Sequence, residues 1–329
     1  MSAATDSAVE PSTARRGPIR RLLAIVDWRR DIIYVGFVVV FIVFAVVLGN
    51  QGFLSSTNLL NILRQASNVA VMAVGMTFVI AAAEIDLSVG SVAGLASITA
   101  AIVISHFGAV PGVLAGLAVG ALVGAINGAL VAFVRIPSFL VTLAMMGIAV
   151  GVAQWVTQSA PQPILDSTFN TVFGSGNIGP LPGLVVWMGI AVAIGAVVLR
   201  KARFGRQVLA TGANRVAADY SGVKTARITF RVMLLAATTA ALAGMLYAGR
   251  LHSGRFQWGA GDELNAIAAV ILGGTALSGG RGSVVGTLFG ALLMALINNG
   301  LILAGLDSSQ QQVVRGVIII LAVALARKK

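Results

Sequence analysis

Long apolar runs separated by short polar segments dominate the chain from residue 32 onward. A helix needs about 20 apolar residues to cross a hydrocarbon core of about 30 Å, and most runs approach that length. The eighth run is short and flanked by glycines, so a re-entrant segment is the alternative there. The pattern predicts ten spans, at Ile32–Gly49, Leu59–Ala83, Ser88–Ser105, Val113–Val134, Phe139–Thr157, Leu184–Leu199, Ile228–Ala248, Leu264–Leu277, Val284–Ala304 and Val313–Ala326.

The composition agrees with a membrane environment. Of 329 residues, 57% are hydrophobic and 10% are charged, whereas a soluble domain carries about 25% charged residues. We therefore expect an all-α polytopic membrane protein with a single transmembrane domain at residues 32–326. Residues 1–31 are polar and rich in Ser, Ala and Arg, and we interpret them as a disordered cytoplasmic tail.

The basic residues indicate the orientation. The formal net charge is +12, but most Lys and Arg residues lie in short runs between apolar spans, which is typical of membrane topology signals and not of a nucleic-acid site. With ten spans and both termini in the cytoplasm, the basic loop 200–227 lies inside. The long loop 159–183 then lies outside, where it is either a docking surface for an external partner or a plain connector.

Glycines recur every fourth residue in the fourth span. This spacing places them on one ridge of the helix, where another backbone can approach closely. Helix packing is the favoured interpretation and a pore-lining role is the alternative. The ridge consists of Gly112, Gly116, Gly120, Gly124 and Gly128.

The junction between the second and third spans carries two acids. Glu84 and Asp86 adjoin apolar spans, where ionisable residues are costly and functional by default. Residues two apart on a helix point to different sides, so the two are not a paired acid and base. Asp86 or Ser88 capping the third helix is the structural alternative, because Asp and Ser favour that position. The two interpretations are compatible.

The chain lacks the common motifs for chemistry. There is no cysteine, and His106 and His252 are far apart, so no metal site is expected. The sequence contains no P-loop, and neither a Ser/His/Asp set nor an HExxH motif is visible. We predict a chain without a cofactor or catalytic activity, which takes its energy from a partner chain or from an ion gradient.

A short helix is predicted inside the basic loop. Gly212 and Asn214 offer a helix start, Arg215–Tyr220 the helix itself, and Gly222 its end. From the residues alone, a solvated loop helix and a docking element both remain open.

Three segments carry a family resemblance. They are AAAEIDLSVGSVAGL at residues 81–95, GANRVAADYSG at residues 212–222, and ELNAIAAVILGGTALSGGRGSVVGTLFGALLMALINNGL at residues 263–301. In order and spacing, from about Asn58 to Leu325, the chain resembles the permeases of ribose-type monosaccharide ABC importers. The family pattern has two glycines where this chain has Ala83 and Glu84, which bears on the role of Glu84 and on the choice of solute.

The resemblance implies a mechanism and a set of partners. Two permease copies, identical or paralogous, form a pore in the bacterial cytoplasmic (inner) membrane, surrounded by lipid. Two ATPase subunits, which bind ATP and Mg²⁺, dock beneath it, and an extracytoplasmic binding protein delivers a monosaccharide or small polyol. By position, the helix in loop 200–227 resembles the element that couples permease to ATPase. Its implied coupling residues are Asn214, Arg215, Ala217, Ala218, Asp219, Ser221 and Gly222.

Two rival functions are weighed against this one. An ion-coupled secondary carrier should show acids or broken helices in both halves of the chain, and the sequence offers Glu84 and Asp86 in the first half without a matching pair in the second. A membrane-embedded enzyme needs several polar groups that converge on one cavity, and the 11 acidic residues, mostly terminal or in loops, supply little for that.

Overall fold

A computed structural model describes residues 28–327 of the chain, so residues 1–27 of the predicted tail lie outside the described part. Helix α1 begins at Trp28, about one turn before the predicted first span. The thirteen α-helices of the described part are α1 (Trp28–Val47), α2 (Ser56–Ala81), α3 (Val89–Phe107), α4 (Ala109–Ala132), α5 (Ser138–Thr157), α6 (Ser167–Asn170), α7 (Gly183–Lys201), α8 (Arg203–Ala213), α9 (Arg215–Tyr220), α10 (Thr225–Leu251), α11 (Asp262–Leu272), α12 (Val284–Leu303) and α13 (Ser308–Arg327).

Between residues 28 and 327, seven helices are long and apolar enough to cross a membrane: α2, α3, α4, α5, α7, α10 and α12. Helix α1 contributes a shorter apolar stretch, Ile33–Val47. The predicted all-helical, multi-pass architecture is confirmed, and the count of ten spans stays a prediction.

The eighth predicted span is only half a membrane long. Helix α11 has 11 residues, which at 1.5 Å per residue is about 16 Å. The helix ends at Leu272 because the next residues turn, with Gly274 at a φ of +87° that disfavours other residues. The predicted helix to Leu277 was therefore too long.

The glycine ridge of α4 is a packing surface. A Cβ atom at Gly120 would lie 2.5 Å from the Cβ of Ala241 in α10, and one at Gly128 would lie 2.9 Å from the carbonyl oxygen of Phe230. Near the other end of α4, a Cβ at Gly116 would lie 3.3 Å from the Cβ of Ala100 in α3. Helix α4 therefore packs backbone to backbone against α3 and α10.

The segment between α10 and α11 turns back into the bundle. A Cβ at Gly94 of α3 would lie 2.5 Å from the carbonyl oxygen of Phe256. The Ser97 hydroxyl donates to the carbonyl of Arg255 at 3.1 Å and accepts from its N–H at 3.2 Å. The segment therefore packs against α3, and helix α11 starts with Asp262 and Glu263 half-buried and Leu264 46% exposed.

The long loop 159–183 is folded against the bundle. It contains α6, a π-helix (Thr171–Ser175) and the strands β1 (Gln162–Pro163), β2 (Asn177–Ile178) and β3 (Leu181–Pro182). Strand β1 pairs antiparallel with β4 (Ser253–Gly254), and β2 pairs with β3. Ile164 and Phe169 are buried. A docking role for this loop stays a prediction.

Helix α2 ends in a Schellman motif. The N–H of Ala83 donates to the carbonyl of Ile80 at 2.9 Å, and the N–H of Glu84 donates to the carbonyl of Val79 at 3.1 Å. The motif places residue 83 in the left-handed region, where glycine is preferred, and Ala83 has a φ of +62°. The glycine in the family pattern at this position thus has a conformational reason.

Replacing Ala83 by glycine is therefore expected to stabilise the protein. Relief of the left-handed strain outweighs the entropy that glycine loses on folding, for a gain of about 0.5–1 kcal/mol. Thermal unfolding of the detergent-solubilised protein measures the change. The control is Ala82→Gly at a φ of −85°, which should lower the midpoint. A lower midpoint for Ala83→Gly as well would contradict the assignment of strain.

Candidate functional site

The connector between α2 and α3, residues 82–88, runs beside the start of α5. Its backbone is supplied with hydrogen bonds by hydroxyl groups of that helix. The N–H of Ile85 donates to Ser138 Oγ at 3.2 Å, and the N–H of Leu87 donates to Thr142 Oγ1 at 3.1 Å. These bonds satisfy two backbone donors that the break in the helix would leave without a partner.

A buried polar network stands at the start of α3. Asp86 Oδ1 accepts from the N–H of Ser88 at 2.8 Å and from its hydroxyl at 2.6 Å. Asn127 of α4 donates to Ser88 Oγ at 3.0 Å. The Ser88 side chain makes no capping bond to the helix, so the acceptor at the helix start is Asp86. The arrangement agrees with a structural role for Asp86 and leaves a role in transport untested.

The same network is short of a donor. Asp86 Oδ2 and Asn127 Oδ1 are both buried without a hydrogen-bond partner among residues 28–327. An unpartnered buried acceptor costs about 1–3 kcal/mol. A side chain that brings a hydrogen-bond donor to these two oxygens is therefore expected to be tolerated.

Helix α9 has the start and the end that the sequence predicted. Asn214 Oδ1 accepts from the N–H of Ala217 at 3.0 Å, which is a side-chain cap. At the other end Gly222 has a φ of +81°, and the Ser221 hydroxyl donates to the carbonyl of Ala217 at 2.9 Å. Asp219 holds the next helix, since its Oδ1 accepts from the Thr225 hydroxyl at 2.8 Å.

Of the two alanines in the implied coupling set, only Ala217 lies on the exposed face of α9. Ala218 is 5% exposed and faces the chain's own interior. Ala217 is exposed, and beside it Val216 is 64% and Tyr220 91% exposed. Sequence reasoning missed Val216 and Tyr220, because a six-residue helix has no apolar period from which its outer face can be inferred. Val216, Ala217 and Tyr220 form what we call the α9 face.

Glu84 joins the connector to α9. Its Oε1 lies 3.5 Å from Nη1 of Arg215, and the Glu84 side chain is only 10% exposed. Nη2 of the same arginine donates to Thr229 Oγ1 in α10 at 2.6 Å. The two segments that the sequence singled out are thus in direct contact. A cleft of about 700 Å³ opens beside the pair and is also lined by Arg135, Asp219 and Lys224.

A second polar cluster, which the sequence reasoning missed, lies at the other end of α10. The Tyr247 hydroxyl donates to Asp262 Oδ2 at 2.6 Å, and Asn265 donates to Asp262 Oδ1 at 3.0 Å. Asp262 and Glu263 stand at the start of α11, so the second half of the chain does carry an acidic pair beside an interrupted helix. The signal in the sequence was these two acids directly before an apolar run.

No cluster of three or more metal-ligating side chains (His, Cys, Asp or Glu) occurs within residues 28–327. The absence of a cofactor stays a prediction. A bundle of membrane-length helices with a short half-length helix and buried polar groups beside it is an architecture of membrane transport proteins.

Comparisons with known proteins agree with this class. Residues 58–323 match the family described as branched-chain amino acid transport system / permease component. The chain is 43% identical over 282 residues to the ribose import permease protein RbsC of Bacillus subtilis (strain 168), covering 85% of this chain and 88% of the relative. It is 41% identical over 284 residues to RbsC of Escherichia coli (strain K12), with the same two coverages.

A more distant relative is the xylose transport system permease protein XylH of Haemophilus influenzae, at 32% identity over 354 residues, covering 87% of this chain and 93% of the relative. No solved structure matches the chain at a significant level. The chain belongs to the branched-chain amino acid transport system / permease component family. The resemblance found in the sequence is confirmed, and the chain is a transport component.

Asp86→Asn is expected to retain most transport. An amide accepts from Ser88 as the carboxylate does, and it adds the donor that the network lacks. Asp86→Ala removes the acceptor and is expected to cost about 0.5–2 kcal/mol of local stability. Uptake by the assembled transporter and the unfolding midpoint measure the two effects. Loss of uptake in a normally inserted Asp86→Asn protein would show that the charge itself is needed.

Proposed function

We propose that the chain is the permease subunit of an ATP-binding cassette importer for a monosaccharide or a small polyol. The support is its membership of a permease family together with relatives named as ribose and xylose permeases. The observation that carries the proposal is the α9 face at one end of the bundle. It presents exposed apolar side chains on a capped helix that is tied to the connector by Glu84.

The α9 face is suited to docking an ATPase subunit. Val216 and Tyr220 are large side chains on a loop helix, and at 64% and 91% exposure they bury little surface within the chain. The adjoining cleft provides room for a protruding partner segment beside Arg215 and Lys224. A movement of α9 would shift Arg215 and, through the ion pair, Glu84. Glu84 lies in the connector that precedes α3. The coupling residues therefore include contacts toward the partner and contacts toward the bundle.

The remaining partners follow from the same family membership. We propose ten spans with both termini in the cytoplasm, a pore of two permease copies in a bacterial inner membrane, and an extracytoplasmic binding protein that delivers the solute. ATP and Mg²⁺ belong to the ATPase partner. The basic loop around α8 and α9 supports this orientation, because Lys and Arg are retained on the cytoplasmic side.

An ion-coupled secondary carrier is the second candidate function, and the names of the relatives decide between the two. The sequence argument against it, the missing acidic pair in the second half, fails because Asp262 and Glu263 occupy that place. The relatives given above are nevertheless named as import permeases or as a transport system permease, and none of them is named as a carrier. The ABC importer is therefore retained.

Ala217→Arg is expected to release the ATPase subunit or to uncouple its ATP hydrolysis from transport. The side chain is exposed, so the free chain should tolerate the change within about 0.5 kcal/mol, whereas a packed interface has the density of a protein interior and does not. Co-purification of the ATPase and its ATP hydrolysis in the presence of the loaded binding protein are the measurements.

Two variants serve as controls. Lys201→Ala alters an exposed side chain at the end of α7, outside the cleft, and should be nearly silent. Ala218→Arg alters a buried position and should instead reduce the amount of folded protein. Normal transport by Ala217→Arg, with the ATPase still bound, would remove the basis for assigning α9 as the coupling element.

A further inference from the structure

A polar cavity lies inside the bundle far from the α9 face. Its volume is about 160 Å³, and α2, α10, α11, α12 and α13 all contribute to its wall. Tyr247 is 22 positions after the start of α10, which places it about 33 Å along the helix from the end next to α9. We call this cavity the polar chamber. Its polar lining residues are Gln65, Tyr247, Arg250, Asp262, Asn265, Asn298 and Arg315.

Hydrogen-bonding groups around the polar chamber lack partners. Asn265 is 4% exposed, and its Oδ1 has no partner among the described residues, nor does Nε of Arg315. Buried polar groups in native proteins are normally satisfied by protein, water or a ligand. These groups therefore point to an occupant with hydrogen-bonding atoms of its own.

The lining defines the chemistry of that occupant. Arginine only donates, a carboxylate only accepts, and an amide does both. Asp262 beside Arg250 and Arg315 disfavours a simple anion, which would need donors alone, and also a simple cation. A hydroxyl group donates and accepts at once, so a small uncharged molecule with several hydroxyl groups matches the mixed lining.

The polar chamber lies beside the interruption that precedes α11. Its wall includes the start of α11, where the returning segment 252–261 ends. Interrupted helices with polar lining mark solute sites in membrane transporters. If the α9 face lies in the cytoplasm, the polar chamber lies in the outer half, where a delivered solute would enter.

We propose that the polar chamber is a binding station for an uncharged polyhydroxylated solute within each permease chain. The inference rests on the proposed function for its biological meaning, but binding can be tested without ATP or the other subunits. Asn265 accepts through Oδ1 from a solute hydroxyl while its amide group holds Asp262. Gln65 faces the solute from α2.

The absence of native cysteine permits a direct binding assay. Asn298→Cys places one thiol in the wall of the chamber, and a small impermeant thiol reagent is added to the full-length protein in proteoliposomes. D-ribose, D-xylose and ribitol are tested as protecting probes. We expect at least one probe, at saturation, to slow the modification by about tenfold, as a bound solute would. Ser309→Cys, on the exposed start of α13, is the control and should react equally with and without probe.

Asn265→Leu in the Asn298→Cys background tests the assignment of residues. Losing the hydrogen bond to the probe and weakening the hold on Asp262 should reduce probe affinity by about tenfold. Gln65→Met, a change of similar length and lower polarity at a half-buried site, should do the same if Asn265→Leu fails to fold. Thr99→Val in α3, away from the chamber, should leave protection unchanged.

The outcomes separate this inference from the proposed function. Protection by no probe, no reaction of Cys at position 298 from either side, or unchanged protection in both Asn265→Leu and Gln65→Met would each overturn the binding station. If a probe protects the thiol but the complete transporter shows no ATP-dependent uptake of that probe, the binding station stands and the ABC importer is contradicted.

Discussion

Inside a bilayer no water replaces a missing backbone hydrogen bond, and this chain leaves helical geometry at two places within its bundle. At the connector 82–88, hydroxyl groups of Ser138 and Thr142 supply the bonds that the helix no longer makes. At the returning segment 252–261, Ser97 does so from α3. At the returning segment, Gly90 and Gly94 of α3 let the backbone of Gly259 and Phe256 approach closely.

Each of the two interruptions positions a different set of polar groups. The connector reaches Arg215 of α9 through Glu84 and carries Asp86 to the start of α3. The returning segment carries Asp262 to the start of α11, where it meets Tyr247 and Asn265. Helix α10 touches both places, since Thr229 bonds Arg215 near one end and Tyr247 bonds Asp262 near the other. A change at the α9 face therefore has a continuous packed route to the polar chamber.

Much of this could be predicted from the sequence. Apolar runs located the membrane-length helices, because burial in lipid requires continuous hydrophobicity. Asn214 and Gly222 located α9, because caps act on neighbouring residues and so are local signals. The eighth run was recognised as short, with a re-entrant segment as the alternative, but the end of α11 at Leu272 was not predicted, because the apolar run continues into a turn that Gly273 and Gly274 make. The glycine interpretation for the fourth span succeeded, since a four-residue period determines one ridge.

Contacts between distant parts of the chain could not be predicted. The partner of Glu84 lies far along the sequence, and nothing at residue 84 indicates it. Ala218 is buried and Ala217 is exposed because of the way α9 packs against neighbouring helices. The sequence of a six-residue helix does not indicate that packing. The chamber was missed because its walls come from five helices, each contributing one or two polar residues that are unremarkable alone.

The central claim is that α9 acts on the bundle through the contact between Arg215 and Glu84, and charge reversal tests it most directly. Glu84→Arg and Arg215→Glu each place like charges together. Because Arg215 is 47% exposed, the effect is expected to be modest, about twofold to fivefold in transport-coupled ATP hydrolysis. The double variant restores the attraction and should recover most of the loss. Single variants at the wild-type level, or a double variant no better than the worse single variant, would contradict the account.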